Sequence, residues 1–222
     1  MPIDRRNLMA AVLVLAAPAT AQTNPLAGDT QAPSAAAAID PQGGLIIAEA
    51  MRGKLEPDPA SAETGGVAFA DELGWYRFTM ADGGTTSLDG TMRQFEFPAG
   101  TIPTTCFAVR VQDSSFAKFS VSQIQAEIDT LYAPFDQFVV GAGFTIEDRK
   151  TLVLDAAGQR SAAPLKLLGW DSRSPNGLRV TWTVMPSPVG QLVFACSGAD
   201  PGHQREVIQR YLRIGSGMTT PP

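Results

Sequence analysis

A chain of 222 residues, 44% hydrophobic and 18% charged, has the apolar content to build a packed core. That composition excludes a disordered acidic tail, a collagen and a disulfide-dense miniprotein. A formal net charge of -5 shows none of the basic excess of a polyanion binder, so no nucleic acid is expected as a partner.

Met1 to Ala21 reads as an export signal. Asp4-Arg5-Arg6 opens it, Leu8 to Ala17 is apolar, and Ala19 and Ala21 place small residues where a signal peptidase reads. The apolar run is too short to cross a bilayer of ~30 Å as a helix. No cysteine follows it to carry a lipid, so no stable membrane anchor is expected. Arg5-Arg6-Asn7-Leu8 resembles a twin-arginine signal, although general secretory signals also carry paired arginines. Cleavage after Ala21 places the chain in the periplasm or outside the cell, where disulfides persist.

Residues 22–66 are rich in Ala, Pro and Gly and read as a flexible spacer, because such a stretch buries too little apolar surface to offset its ordering entropy. Within it, Leu45 to Met51 predicts a short helix. A single α+β domain is expected over 67–215, with a loose tail at 216–222. Trp75 to Met80 and Thr91 to Phe97 predict strands. Cys106 to Val111 predicts a third, with Phe107, Val109 and Val111 on one face. Ser120 with Gln123 is a capping box for a helix over 120–133. Val121, Ile124, Ile128 and Leu131 line its buried face, and Pro134 stops it. Phe138 to Phe144 fits neither period. Further strands follow at 151–155, 164–170, 178–185 and 191–197. The third of these alternates most cleanly, after a Ser174-Pro175-Asn176-Gly177 turn. Asp200-Pro201 starts a last helix, expected over 201–213 with Gly215 as its cap.

The order of strand, helix, antiparallel strands and closing helix resembles the PsbP/Mog1-like fold. Three stretches carry the resemblance: Ile124 to Phe135; Leu152-Val153-Leu154-Asp155-Ala156-Ala157-Gly158-Gln159-Arg160-Ser161-Ala162; and Val189-Gly190-Gln191-Leu192-Val193-Phe194-Ala195-Cys196-Ser197. The resemblance implies an α/β/α sandwich, an antiparallel sheet with helices packed on it, and a binding or assembly module rather than an enzyme.

Chemistry is sparse. His203 is the single histidine and has no sequence partner for base catalysis. H-E-x-x-H and G-x-S-x-G are absent. Ser115 and Lys118 spell S-x-x-K without the companion motifs of that enzyme class. Gly141-Ala142-Gly143-Phe144 reads as a bend, and Glu147, Asp148 and Asp200 as solvated turn carboxylates rather than a calcium loop. Trp75, Tyr76, Trp170 and Trp182 read as core aromatics, or as the lining of an apolar cleft. No catalytic residue, cofactor or metal site is expected.

Cys106 and Cys196 are candidates for a disulfide. The oxidising compartment favours the bond. Against it, Cys196 shares a face with Leu192 and Phe194, whereas Cys106 shares one with Ala108 and Arg110. On the last helix, Gln204, Arg205, Gln209, Arg210 and Arg213 read as an outward face. Arg205, Arg210 and Arg213 form either a docking strip for an acidic partner or an ordinary solvated surface. The expected function is an exported, non-catalytic accessory protein that binds an envelope partner. A small-ligand or metal carrier is the alternative, and a hydrolase built on Ser115 and Lys118 or on His203 comes third.

Overall fold

The computed structural model describes residues 37–39, 45–49, 51–58, 66–80, 84–89, 92–97, 104–154, 164–198 and 200–219. The expected signal at 1–21, much of the 22–66 stretch and the turn at 157–159 lie outside the described residues. In chain order the elements are β1 (Ala37–Ile39), β2 (Leu45–Glu49), β3 (Gly53–Pro57), β4 (Val67–Asp71), β5 (Tyr76–Met80), β6 (Thr85–Asp89), β7 (Met92–Glu96) and β8 (Thr105–Val111). Then come α1 (Val121–Glu127), a 3-10 turn (Ile128–Thr130), α2 (Tyr132–Gly141), β9 (Thr145–Arg149), β10 (Leu152–Val153), β11 (Lys166–Arg173), β12 (Arg179–Ser187) and β13 (Gly190–Gly198). The chain closes with α3 (Pro201–Tyr211), β14 (Leu212–Ile214) and α4 (Ser216–Thr219).

The protein is an α+β mixture dominated by antiparallel sheet. The large sheet runs β1-β2-β8-β13-β12-β11-β10, with β7 sharing an edge of β8 and β9 sharing an edge of β11. A second sheet, β14-β5-β4-β3, is also antiparallel. Period-two patterning explains how the large sheet serves two cores. Val184 of β12 packs with Val109, Ile124, Ile128, Phe135, Val139 and Trp170, beneath α1 and α2. The next residue, Met185, faces the opposite way, onto Leu192, Phe194, Val207 and Ile208. That second core also takes Phe69, Tyr76, Phe78 and Leu212 from the small sheet. One face of the large sheet therefore carries α1 and α2; the other carries α3 and the small sheet. Burying each such side chain contributes roughly 1.5–3 kcal/mol before entropy is counted.

Local signals set several ends. The Gln123 N–H donates to Ser120 Oγ (3.3 Å) while the Ser120 N–H donates to Gln123 Oε1 (2.8 Å), which is the expected capping box. Asp200 accepts from the Gly202 N–H at 2.9 Å and Pro201 occupies the first turn. Gly177 adopts φ 86° and its N–H donates to Ser174 O, closing the predicted turn. On the α1–α2 side, Asp129 accepts from Thr151 Oγ1 (2.6 Å) and Lys166 Nζ (3.1 Å), and Asp136 accepts from Arg149 and from Trp170 Nε1 (2.8 Å).

Several expectations change. Pro134 does not stop a helix. It is the third residue of α2, where the missing N–H would have had no intrahelical acceptor, and the chain passes from α1 to α2 through the 3-10 turn. The ambiguous stretch from Phe138 onward is the second half of α2, ended by Gly143 at φ 85°. Leu45 to Glu49 is a strand rather than a helix: Ala48 and Glu49 pair with Val111 and Arg110 of β8. The boundary expected at residue 67 moves upstream, because β3 pairs with β4 along its whole length and Met51 lies in the core. The last helix ends at Tyr211 instead of 213, and Leu212, not Gly215, caps it in an extended conformation. The 216–222 tail was expected to be loose, yet Ser216–Thr219 is helical and Met218 is buried.

Candidate functional site

The disulfide is formed. β8 and β13 pair from Thr105–Ser197 to Val111–Gln191, which sets Cys106 directly opposite Cys196, with Cα atoms 4.0 Å apart. The argument from faces fails because Arg110 is itself buried. Cys106, Ala108 and Arg110 all point into the core between the two sheets, where Phe194 and Leu192 also lie.

Arg110 is the centre of a charged cluster that the sequence reading passed over. Its guanidinium is 3.6 Å from Asp71 and 3.6 Å from Glu72, and 5.9 Å from the Trp75 ring. Asp71 ends β4, and its Oδ2 accepts from the Leu73 and Trp75 N–H groups at 3.2 and 3.1 Å, folding the loop into β5 around the carboxylate. Burial raises the Asp71 carboxyl above its ordinary range, outweighing those bonds and Arg110, which favour the charge. Burial, then the nearby Asp71, pushes the Tyr76 hydroxyl well above the usual phenol value. Among the described residues, neither the Tyr76 hydroxyl nor Asp71 Oδ1 has a hydrogen-bond partner. The available signal was the position of Arg110, four residues from Cys106 on the same face of one strand.

The three arginines expected to form an outward strip have separate fates. Arg205 donates to Asp171 Oδ2, and Thr181 Oγ1 holds the other oxygen of that buried carboxylate at 2.9 Å. Arg213 lies on β14, beyond the helix, and its Nη1 donates to Leu212 O (2.9 Å) and Gln209 O (3.3 Å), where the negative end of α3 favours a cation. Arg210 remains exposed. Its guanidinium sits 5.4 Å from the Tyr211 ring, which packs 5.9 Å from Phe97, and both rings are partly exposed. Gln204, expected outward, is fully buried: its Oε1 accepts from the Thr181 N–H at 2.7 Å. The outward side of α3 thus carries one exposed arginine on a small aromatic platform, flanked by two anchored arginines.

The remaining candidates are spread apart. The Ser115 N–H donates to Asp113 Oδ1 in a turn, Lys118 is exposed, and His203 is half-buried on α3. Glu147 pairs with Arg173, Asp148 accepts from the next backbone N–H, and Asp200 caps α3. Trp75, Tyr76 and Trp170 are core residues. Trp182 is half-buried between Phe138 and Phe144, at 5.5 and 5.3 Å. Among the described residues, no three His, Cys, Asp or Glu side chains are grouped to hold a metal ion, and no helix is long and apolar enough to cross a membrane. No protein-family model matches this chain, and no curated protein matches it either.

Proposed function

We propose that the chain is an exported, non-catalytic accessory module that binds another protein of the cell envelope through the outward side of α3. The observation that carries this reading is Arg210 resting on Tyr211, which is in turn braced by Phe97. A cation held over partly exposed aromatic rings is the composition favoured at protein interfaces. Export to the periplasm or beyond is supported by the disulfide and by the Met1–Ala21 pattern. The PsbP/Mog1-like sandwich belongs to this proposal. Helices on both faces of an antiparallel sheet favour it, and the small sheet beside α3 is an addition to that plan. Charge reversal, Arg210→Glu, tests the reading through recovery of a cross-linked partner from native envelope. Arg205 is unsuitable for that test, because reversing it also breaks the Asp171 pair.

A small-ligand carrier is favoured by one observation, the enclosed Tyr76 hydroxyl, which makes no hydrogen bond among the described residues and lies near Asp71, whose Oδ1 faces Arg110 at 3.6 Å. Tyr76→Phe separates the cases. Removing an unpartnered buried hydroxyl raises the melting temperature, reflecting a cost of about 1–3 kcal/mol relieved. A lowered melting temperature means that a bound guest uses the hydroxyl.

A further inference from the structure

We propose that the outer edge of β3 pairs with the same edge of a second copy of this chain, antiparallel and centred on Leu55. The proposal is independent of the α3 reading. Among the described residues, β3 ends the small sheet, and only β4 pairs with it. The Asp58 N–H donates to Gly66 O and the Glu72 N–H donates to Arg52 O. The even-numbered residues of β3 therefore turn their backbone groups toward β4. Gly53 and Leu55 turn both N–H and C=O to the open edge, and Pro57 turns its C=O there, where it already accepts a long hydrogen bond from Arg77 Nη2 at 3.5 Å and keeps a second lone pair.

A twofold axis through Leu55 uses these groups well. The Leu55 N–H of each copy donates to Leu55 O of the other, and each Gly53 N–H donates to Pro57 O opposite it. Proline's missing N–H thus costs one bond per copy at the end of the ladder. The same register sets Lys54 opposite Glu56 on both sides of the axis. These are the closely spaced pairs of an antiparallel ladder, and opposite charges there attract. Lys54, 78% exposed on its side chain, pairs with Glu56 of its own strand at 3.3 Å, and Glu56 also takes Arg77 at 2.5 Å; in the dimer each Lys54 gains a second carboxylate, Glu56 of the other copy. Leu55, 56% exposed at this edge, gains an apolar neighbour in Leu55 of the other copy. Lysine and proline commonly blunt an edge strand. Here the lysine has a self-complementary partner, and the proline falls where an acceptor is needed.

Five residues from each chain make a small interface, so association is weak and concentration-dependent. Sedimentation of the purified full chain from about 10 μM to 1 mM shows rising mass, and Lys54→Glu and Leu55→Lys each weaken dimerisation about tenfold or more. Both side chains are exposed, so the melting curves of these variants stay close to that of the unaltered chain. Chains carrying Lys54→Glu mixed with chains carrying Glu56→Lys associate with each other more tightly than either does with itself. A chain that stays monomeric over this range overturns the proposal, as does a dimer indifferent to Lys54→Glu and Leu55→Lys.

Discussion

Replacing both cysteines, Cys106→Ala with Cys196→Ala, removes a cross-link between residues 90 apart in sequence. The chain-entropy model gives a closed loop of that length about 4.6 kcal/mol of stabilisation at 25 °C, by restricting the unfolded ensemble. Both cysteines are fully buried, so each alanine also leaves a small cavity between the sheets, which adds to the loss. The expected total is about 4–6 kcal/mol, a large share of the roughly 5–15 kcal/mol that typically holds a domain together. The strands do not separate, because β8 and β13 pair on both sides of the bond. Urea unfolding followed by circular dichroism measures the change. The midpoint falls, and the slope rises because the uncross-linked unfolded chain exposes more surface. A loss under about 1 kcal/mol refutes the reasoning, since it means that the unfolded chain was already restricted there or that the bond acts only within the folded state.

Gly215→Ala is expected to destabilise strongly. A Cβ at Gly215 falls 2.0 Å from Gly74 O, where the Gly215 N–H donates to Trp75 O at 2.7 Å, and a melting curve unchanged from the parent contradicts that packing. Asp129 contributes to acid sensitivity. The Thr151 and Lys166 hydrogen bonds hold its carboxyl below the ordinary value of 3.8, so its stabilisation is full above that value and is lost as pH falls through the lowered one. The stability gap between the parent and Asp129→Asn therefore closes on acidification below about pH 4, and a gap that does not vary with pH contradicts the assignment. Asp71 has the opposite sign. Its raised carboxyl favours the folded state as it protonates, so comparing single variants, rather than the whole acid limb, isolates Asp129.

The elements most legible in the sequence were those whose local chemistry and tertiary surroundings agree. The Ser120–Gln123 box, the Asp200-Pro201 start and the β12 alternation each state one structure, and the packing keeps it. β3 was illegible because an edge strand buries little: Gly53-Lys54-Leu55-Glu56-Pro57 has the composition of a loop, and only the β4 ladder makes it a strand. Pro134 misled because a proline in a first turn and a proline beyond a last turn look alike in sequence. The arginines misled in both directions. Helical periodicity placed Arg205 and Gln204 outward, but a buried Asp171 and the backbone of Thr181 drew them in. Strand alternation puts Arg110 on the same face as Cys106, and an arginine on a strand ordinarily marks an outward face, which counted against the disulfide without excluding it. Asp71, far from Arg110 in sequence, is what makes that burial tolerable, and no local pattern announces it.

The outward side of α3 is tested most directly by cross-linked recovery from native envelope with the parent chain and with Arg210→Glu. Arg210 is exposed and makes no ion pair among the described residues, so the reversal costs only its contact with Tyr211 and a favourable charge in the last turn of α3, about 1 kcal/mol, which a melting curve verifies first. The account predicts a discrete partner band with the parent chain, weakened by added salt and lost or sharply reduced with Arg210→Glu. Equal recovery of the same band by both chains at low salt contradicts it and moves the binding surface away from α3.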